Sequence, residues 1–380
     1  MSTVQGNGID RKKKVTVYRQ IYEILKQELA EGVYDNVEIL PSERLLCERF
    51  GVERNTVRRA LDFLVKDGLA VKAPGYGTKI LRESASGDSA KSGDSVKFAQ
   101  LRQNILLFTR ETDPLGSKME YFHLKLMRVL ERKLYEMGYN LICKTLSPEV
   151  RLEDVIVYTG PTAVLFDSYF QKEYYQQVLD MGIPCLSINH YTPLLTSVVS
   201  NNFDGAYRVA KQMTEAGHRN IALITGKMGH QTTMERLSGF RSLYLEMDLS
   251  QNLKYVYQGN WLFDSGAAIG EKLLELPEKE RPTAVFAFND DLAYGCLSSL
   301  EKHGVGMPEE ISLVGFDNSD RYNGIFRPIT TVDVNIEDMV QYACWCLDDQ
   351  IKRSFPRARA KIQVETILVD NGTIRNITDK

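Results

Sequence analysis

Apolar positions along this chain follow two different rhythms, and the change falls near residue 84. In VYRQIYEILKQELAEG (residues 17–32), Val17, Ile21, Ile24, Leu25 and Leu29 recur at helical spacing, with Gly32 as a stop. Pro41 and Ser42 open a second helix, with Ser42 at its N-cap and Leu45, Leu46 and Phe50 as its apolar face. Gly51 breaks it. A third helix, over about residues 53–67, turns Val57, Leu61 and Leu64 inward and leaves Arg54, Arg58 and Arg59 projecting near its start. The run LAVKAPGYGTKIL then alternates around Pro74, Gly75 and Gly77, which predicts a hairpin of two short strands. Helix, helix-turn-helix and hairpin, in that order, predict a winged helix-turn-helix.

The back half keeps another pattern. Short apolar runs (ILLF at 105–108, TAVLF at 162–166, IALIT at 221–225, TAVFAF at 283–288, ISLVGF at 311–316) alternate with amphipathic helical stretches. Buried runs alternating with helices predict parallel sheets covered on both faces, and about 280 residues supply enough units for two lobes. The fold class expected is α/β, an N-terminal winged helix-turn-helix plus a two-lobed domain with parallel sheets. In such a domain ligands gather at the carboxyl ends of the strands.

Between the two lies SASGDSAKSGDSVK (residues 84–97), rich in Ser, Gly and Asp, with Val96 its one large apolar residue. A segment like this buries too little surface to offset its ordering entropy, so it reads as a flexible linker. The expected division is 1–83 for the winged-helix front, 84–99 for the linker and 100–380 for the two-lobed back.

Composition changes the picture in three ways. Residues 1–82 carry a net charge of +4 while the whole chain carries −3, which leaves −7 for the remainder and suggests nucleic acid at the front. No run approaches the roughly 18 apolar residues of a membrane span, and the basic start is not followed by an apolar segment, so a cytoplasmic protein with no membrane partner is expected. The six cysteines are scattered, and Cys344 and Cys346 would face apart on a helix, so buried free thiols are expected rather than a metal site or disulfide.

The front carries the sharper chemistry. LPSERLLCERFGVERNTVRRALDFLVKDGLAVKAPGYGT (residues 40–78) closely resembles the GntR family of regulators, from LPSER through GV-x-R-x-TVR to a G-x-GT wing. A recognition helix enters the major groove by its N-terminal end, where Arg pairs with guanine and Asn with adenine. Here that end carries Arg54, Asn55, Thr56 and Arg58. The resemblance implies DNA contacts at Arg44, Arg54, Thr56 and Arg58, with Gly75 at the wing tip beside the minor groove. Two positions depart from the family pattern. Glu53 stands where the family has Ser at the N-cap, which is a poorer cap and brings a negative charge towards phosphates. Asp35, Asn36 and Val37 replace the usual Pro-Gly turn after the first helix.

The back resembles the LacI/GalR regulators, whose fold is that of periplasmic sugar-binding proteins. The markers are NNFDGA, AGHRNIALITG, Arg236 four residues before Phe240, and then AFNDDLAYG, ISLVGFDN and RPITTVDVN in order, over about residues 101–369. A GntR head on such a body is the architecture of the arabinose repressors of Gram-positive bacteria. The resemblance implies a ligand cleft between two lobes, with Arg236, Trp261, Asn289 and Asp317 from the C-terminal lobe. Asp113 and Asp167, which follow predicted strands, would come from the other lobe. That set suits a polyhydroxylated ligand, since an indole covers the apolar face of a sugar ring while Arg, Asp and Asn fork onto its hydroxyls. Three residues have a second reading: Trp261 as core or interface, Asn289 as the cap of a helix starting at Asp290, and Asp317 as part of a turn with Asn318. Phe316 reads as packing. Residues 84–97 do not look like the short hinge helix that LacI-type regulators place between head and body.

Together these readings predict a DNA-binding transcriptional repressor, acting as a homodimer on double-stranded operator DNA and controlled by a sugar effector, with no cofactor or metal. A purine or a sugar phosphate is the alternative ligand, with Trp261 stacking on a base. An enzyme is the alternative class, but no G-x-S-x-G, H-E-x-x-H, P-loop or Schiff-base lysine context is present, and the five histidines are not clustered in sequence.

Overall fold

Three helices and a hairpin make up the front of the computed structural model, which describes residues 16–34, 37, 39–73, 77–81, 103–110, 121–147, 150–353 and 359–378. They are α1 (Val17–Ala30), α2 (Glu43–Phe50), α3 (Arg54–Lys66) and the antiparallel strands β1 (Ala70–Ala73) and β2 (Gly77–Ile80). Most of the predicted apolar stripes converge: Ile21, Leu25, Leu46, Val57, Leu61 and Leu64 are at most 1% exposed, whereas Leu45, expected on the apolar face of α2, is turned outward and exposed because Leu46 and Phe50 take the buried side of that helix. Burying each such side chain is worth roughly 1.5–3 kcal/mol, which is what holds so small a unit together. Ser42 Oγ accepts from Leu45 N at 3.4 Å and caps α2. Gly51, at φ +63°, ends that helix in the left-handed conformation a tight turn needs. The residues replacing the usual turn after α1 include Asp35 and Asn36, which lie outside the described residues, and an exposed Val37.

The chain divides into two units, Met1–Val96 and Lys97–Lys380. The second opens with β3 (Gln103–Arg110), α4 (Tyr121–Glu136), β4 (Tyr139–Leu146), α5 (Leu152–Thr159), β5 (Ala163–Asp167), α6 (Lys172–Asp180), β6 (Cys185–Ile188) and β7 (Thr196–Ser200). It crosses to α7 (Asn202–Glu215), β8 (Ile221–Thr225), α8 (Gln231–Glu246), β9 (Val256–Gln258), α9 (Phe263–Leu274), β10 (Ala284–Ala287), α10 (Asp290–Lys302), β11 (Ser312–Val314) and β12 (Thr331–Asp333). It then returns through α11 (Ile336–Arg353) and β13 (Lys361–Val364) before β14 (Ile367–Val369) pairs with β12.

Two parallel sheets result, in the order β13-β7-β6-β5-β3-β4 and β11-β10-β8-β9. Each is the floor of one lobe. Every residue of β5, β6, β8 and β10 is buried, as strands covered by helices on both faces must be. The chain passes between lobes three times, after β7, after β12 and after β13. The first two passages are tied together where Ser200 Oγ donates to Val334 O at 2.8 Å.

The cysteines are less uniform than expected. Cys185, Cys296 and Cys344 are buried and Cys47 and Cys346 half-buried, but Cys143 is exposed. The reason is its place on β4, the edge strand of its sheet, several of whose residues are open. His218 is fully buried and satisfied, by Thr283 Oγ1 at 2.8 Å and Arg375 O at 3.0 Å. Among the described residues no helix is long and apolar enough to cross a membrane, and no three His, Cys, Asp or Glu are placed to hold a metal ion.

Candidate nucleic-acid interface and effector cleft

In the head, α3 begins at a residue that does not cap it. Glu53 takes the extended N-cap conformation, yet its side chain makes no capping hydrogen bond. What organises this helix end comes instead from α2. Glu43 accepts from Arg54 Nε at 2.5 Å and from Arg58 Nε at 3.0 Å, so one carboxylate aligns both arginines. Partial burial works to raise the Glu43 carboxyl, but the two guanidiniums outweigh it and its pKa lies below the usual range. The arginines themselves stay open, their side chains 69% and 50% exposed. Asn55 is exposed and Thr56 half-buried. Arg44 stands apart, paired with Glu48 one turn along α2 at 3.4 Å, an exposed pair of little energetic weight. Gly75 lies outside the described residues. Glu43 was not singled out from the sequence, although it stands inside the LPSER motif.

In the sensor, four of the expected residues come together at the ends of β8, β10 and β11 and at the start of α9. Arg236, on α8, is 5% exposed. Its Nε donates to Asn202 Oδ1 at 2.9 Å and its Nη2 to Asp317 Oδ1 at 3.2 Å, while Nη1 donates to Phe288 O. The guanidinium lies 3.7 Å from the Phe316 ring centroid and 5.8 Å from that of Trp261. Phe316 thus packs against a cation as well as the core. Burial works against the Arg236 charge, and the carboxylates of Asp317, Glu235 and Asp290 support it.

Trp261 takes φ +73°, unusual for a bulky residue, and is 7% exposed within the core. Its indole fits against Gly226, where an added Cβ would fall 1.9 Å from the ring. Asn289 does cap α10, accepting from Leu292 N at 3.0 Å, and its amide also donates to Trp261 O at 2.9 Å. Asp317, at φ +105°, follows β11.

Asp290 was missed, though two consecutive acids after a predicted strand were a usable signal. It is 2% exposed and accepts from Ser319 N at 2.6 Å and Thr331 Oγ1 at 2.7 Å. Burial, then the nearby Asp317, push its pKa up to about 8.

From the first lobe, Asp167 ends β5 almost fully buried, with His123 Nδ1 at 2.7 Å and Ser168 Oγ at 3.1 Å. His123 therefore pairs with an acid 44 positions away, for which the sequence carries no signal. Asp113 lies outside the described residues. A narrow, nearly closed cleft separates the lobes, lined by Tyr121, Phe122 and Lys125 from one side and Asn289, Asp290 and Asp317 from the other. Arg236 and Trp261 stand behind this wall, and each touches it through a partner that lines it. Asp167 is not part of the lining.

A winged helix with open arginines on its recognition helix, joined to a two-lobed receptor, defines a DNA-binding transcriptional regulator controlled by a small molecule. Residues 17–80 match the bacterial regulatory proteins of the gntR family, and residues 210–374 match the periplasmic binding protein-like domain. The chain thus joins a gntR-type regulatory head to a periplasmic binding protein-like domain.

Among relatives, the HTH-type transcriptional repressor PurR of Aliivibrio fischeri (strain MJ11) is 28% identical over 253 residues, covering 63% of this chain and 71% of its own. PurR of Vibrio cholerae (strain M66-2) is 27% identical over 301 residues, covering 75% and 84%. Among solved structures, a LacI family regulator from Enterococcus faecium with bound ribose superposes with a TM-score of 0.64 at 21% identity, covering 73% of this chain and all of that one. A LacI regulator from a Rhodococcus species gives 0.63 at 23%, covering 72% and 99%. The matched families are regulators and not enzymes.

Proposed function

We propose that this protein is a cytoplasmic transcriptional repressor that binds double-stranded operator DNA as a homodimer and releases it when a sugar enters the cleft of the C-terminal domain. The observation that carries the reading is the buried Arg236, bracketed by the Phe316 and Trp261 rings and paired with Asp317 at the carboxyl ends of the strands. Asn289 and Asp317 line the cleft with Arg236 and Trp261 directly behind them, so an opened cleft would offer a sugar an indole face beside charged donors and acceptors, which match its alternating CH and OH faces. The Enterococcus regulator solved with ribose supports the same ligand class. Asp113, outside the described residues, would contribute from the other lobe; Asp167, buried against His123 away from the cleft lining, would support that lobe's wall rather than touch the ligand. The division into 1–83, 84–99 and 100–380 belongs to this proposal, as do operator contacts by Arg44, Arg54, Asn55, Thr56, Arg58 and Gly75.

Calorimetry of the full chain against pentoses, hexoses, their phosphates and purines tests the ligand. Arg236→Ala and Trp261→Ala are each expected to weaken binding of the active compound at least tenfold, about 1.4 kcal/mol, with operator affinity in its absence near wild type. A purine as the one active compound, or normal titration by both variants, overturns the reading.

A further inference from the structure

Arg236 stands at one end of a row of hydrogen bonds that runs to the opposite lobe. Its Nε donates to Asn202 Oδ1 at 2.9 Å, and Asn202 Nδ2 donates to Glu235 Oε2 at 3.1 Å. Glu235 Oε1 accepts from Gln231 Nε2 at 3.0 Å, and Gln231 Oε1 accepts from the backbone N–H of Tyr191 at 2.9 Å. Tyr191 belongs to the loop after β6 in the first lobe, whereas Gln231 and Glu235 are on α8 in the second. Asn202 opens α7 just past the first passage between lobes, and its amide also reaches Ser200 O at 3.3 Å.

The polarity of the row is fixed throughout. An ionised Glu235 only accepts, so both amides must turn their NH₂ groups towards it and their oxygens outward. The Asn202 oxygen then faces Arg236, and the Gln231 oxygen faces Tyr191. No member of the row can reverse while the others stay.

We propose that Asn202, Glu235 and Gln231 are positioning residues that couple the state of Arg236 to the contact between the lobes at Tyr191. A ligand that draws the guanidinium towards its own hydroxyls changes the donor offered to Asn202. The two amides and the carboxylate carry that change to the Tyr191 N–H on the other side of the cleft. The coupling to ligand rests on the reading that the effector binds at Arg236. The coupling between the two ends of the row does not.

Two arms keep these separate. The first needs no ligand: amide hydrogen exchange at Tyr191 in the full chain. Arg236→Lys and Glu235→Gln are each expected to raise that rate at least fivefold. Gln231→Ala, which removes the acceptor itself, is expected to raise it further and to leave Arg236→Lys with no added effect. Wild-type exchange at Tyr191 in both Arg236→Lys and Glu235→Gln overturns the proposal; if Arg236→Lys fails to fold, Glu235→Gln decides. The second arm titrates L-arabinose and D-ribose. Gln231→Ala, which does not touch Arg236, is expected to weaken a sugar that binds the wild type about fivefold with an unchanged unfolding midpoint. If Arg236→Ala weakens sugar binding and Gln231→Ala does not, the relay to ligand falls and the binding site stands. If Arg236→Ala binds normally, or neither sugar binds the wild type, the first arm alone decides the row.

Discussion

Asn289 holds two elements at once: its oxygen caps α10 through Leu292 N at 3.0 Å, and its NH₂ group grips the carbonyl of Trp261 at 2.9 Å. The second bond fixes the backbone of a residue held at φ +73°. Asn289→Asp keeps an acceptor for the cap and loses the donor to Trp261. Asn289→Ala loses both. Expected outcomes are therefore separable. Both variants should weaken effector binding about tenfold by calorimetry, while thermal unfolding shows the further loss of roughly 1 kcal/mol for a missing cap in Asn289→Ala only.

Glu43 aligns Arg54 and Arg58, and on the proposed DNA interface it would compete with phosphate for them. Removing its charge in Glu43→Gln should free two guanidiniums. Affinity for random DNA should rise while affinity for the operator falls, so the specificity ratio drops at least fivefold in gel shifts at fixed salt. Arg54→Ala and Arg58→Ala should instead each cost roughly 1–3 kcal/mol of operator binding, as lost base contacts do.

Glu53 occupies the N-cap of α3 without capping it. Glu53→Ser should supply the missing hydrogen bond and stabilise the head by roughly 0.5–2 kcal/mol. On the proposed interface it would also remove an anion close to phosphates, so operator binding should tighten, and more at low salt than at high. Unfolding midpoints and a salt series of binding isotherms measure the two effects independently.

Asp290 gives the sensor a pH dependence of defined sign. Its folded pKa is about 8, against roughly 3.9 for an unfolded aspartate. A carboxyl whose pKa is raised on folding contributes stability that is complete below the unfolded value and is lost as pH rises through the folded one. Between pH 4 and 8 this group should progressively lower stability. Asp290→Asn cannot ionise, so its unfolding midpoint relative to wild type should climb as pH is raised from 6 to 9.

Local pattern determined much of this protein. Helical spacing of Ile21, Leu25 and Leu29, the Ser42 cap and the Gly51 stop were enough to place the winged helix, because each depends on residues within a few positions. The buried runs at 163–167, 221–225 and 284–287 were equally legible, since a strand covered on both faces leaves no polar alternation to confuse. Strands β4, β6, β7, β9, β12, β13 and β14 are not among the predicted runs; several have only three or four residues, and β4, at the sheet edge, mixes exposed and buried positions and breaks the signal. At the site, the motifs supplied Arg236, Trp261, Asn289 and Asp317 as names, and tertiary structure supplied their relations. Arg236 meets Asp317 across 81 positions, and His123 meets Asp167 across 44. The bonds of Glu43 to two arginines, and the burial that raises Asp290, likewise exist only once separate elements are packed. Periodicity reports which face of an element is apolar. It does not report which polar side chains that packing strips of water, and those are the groups whose partners and protonation set what the site does.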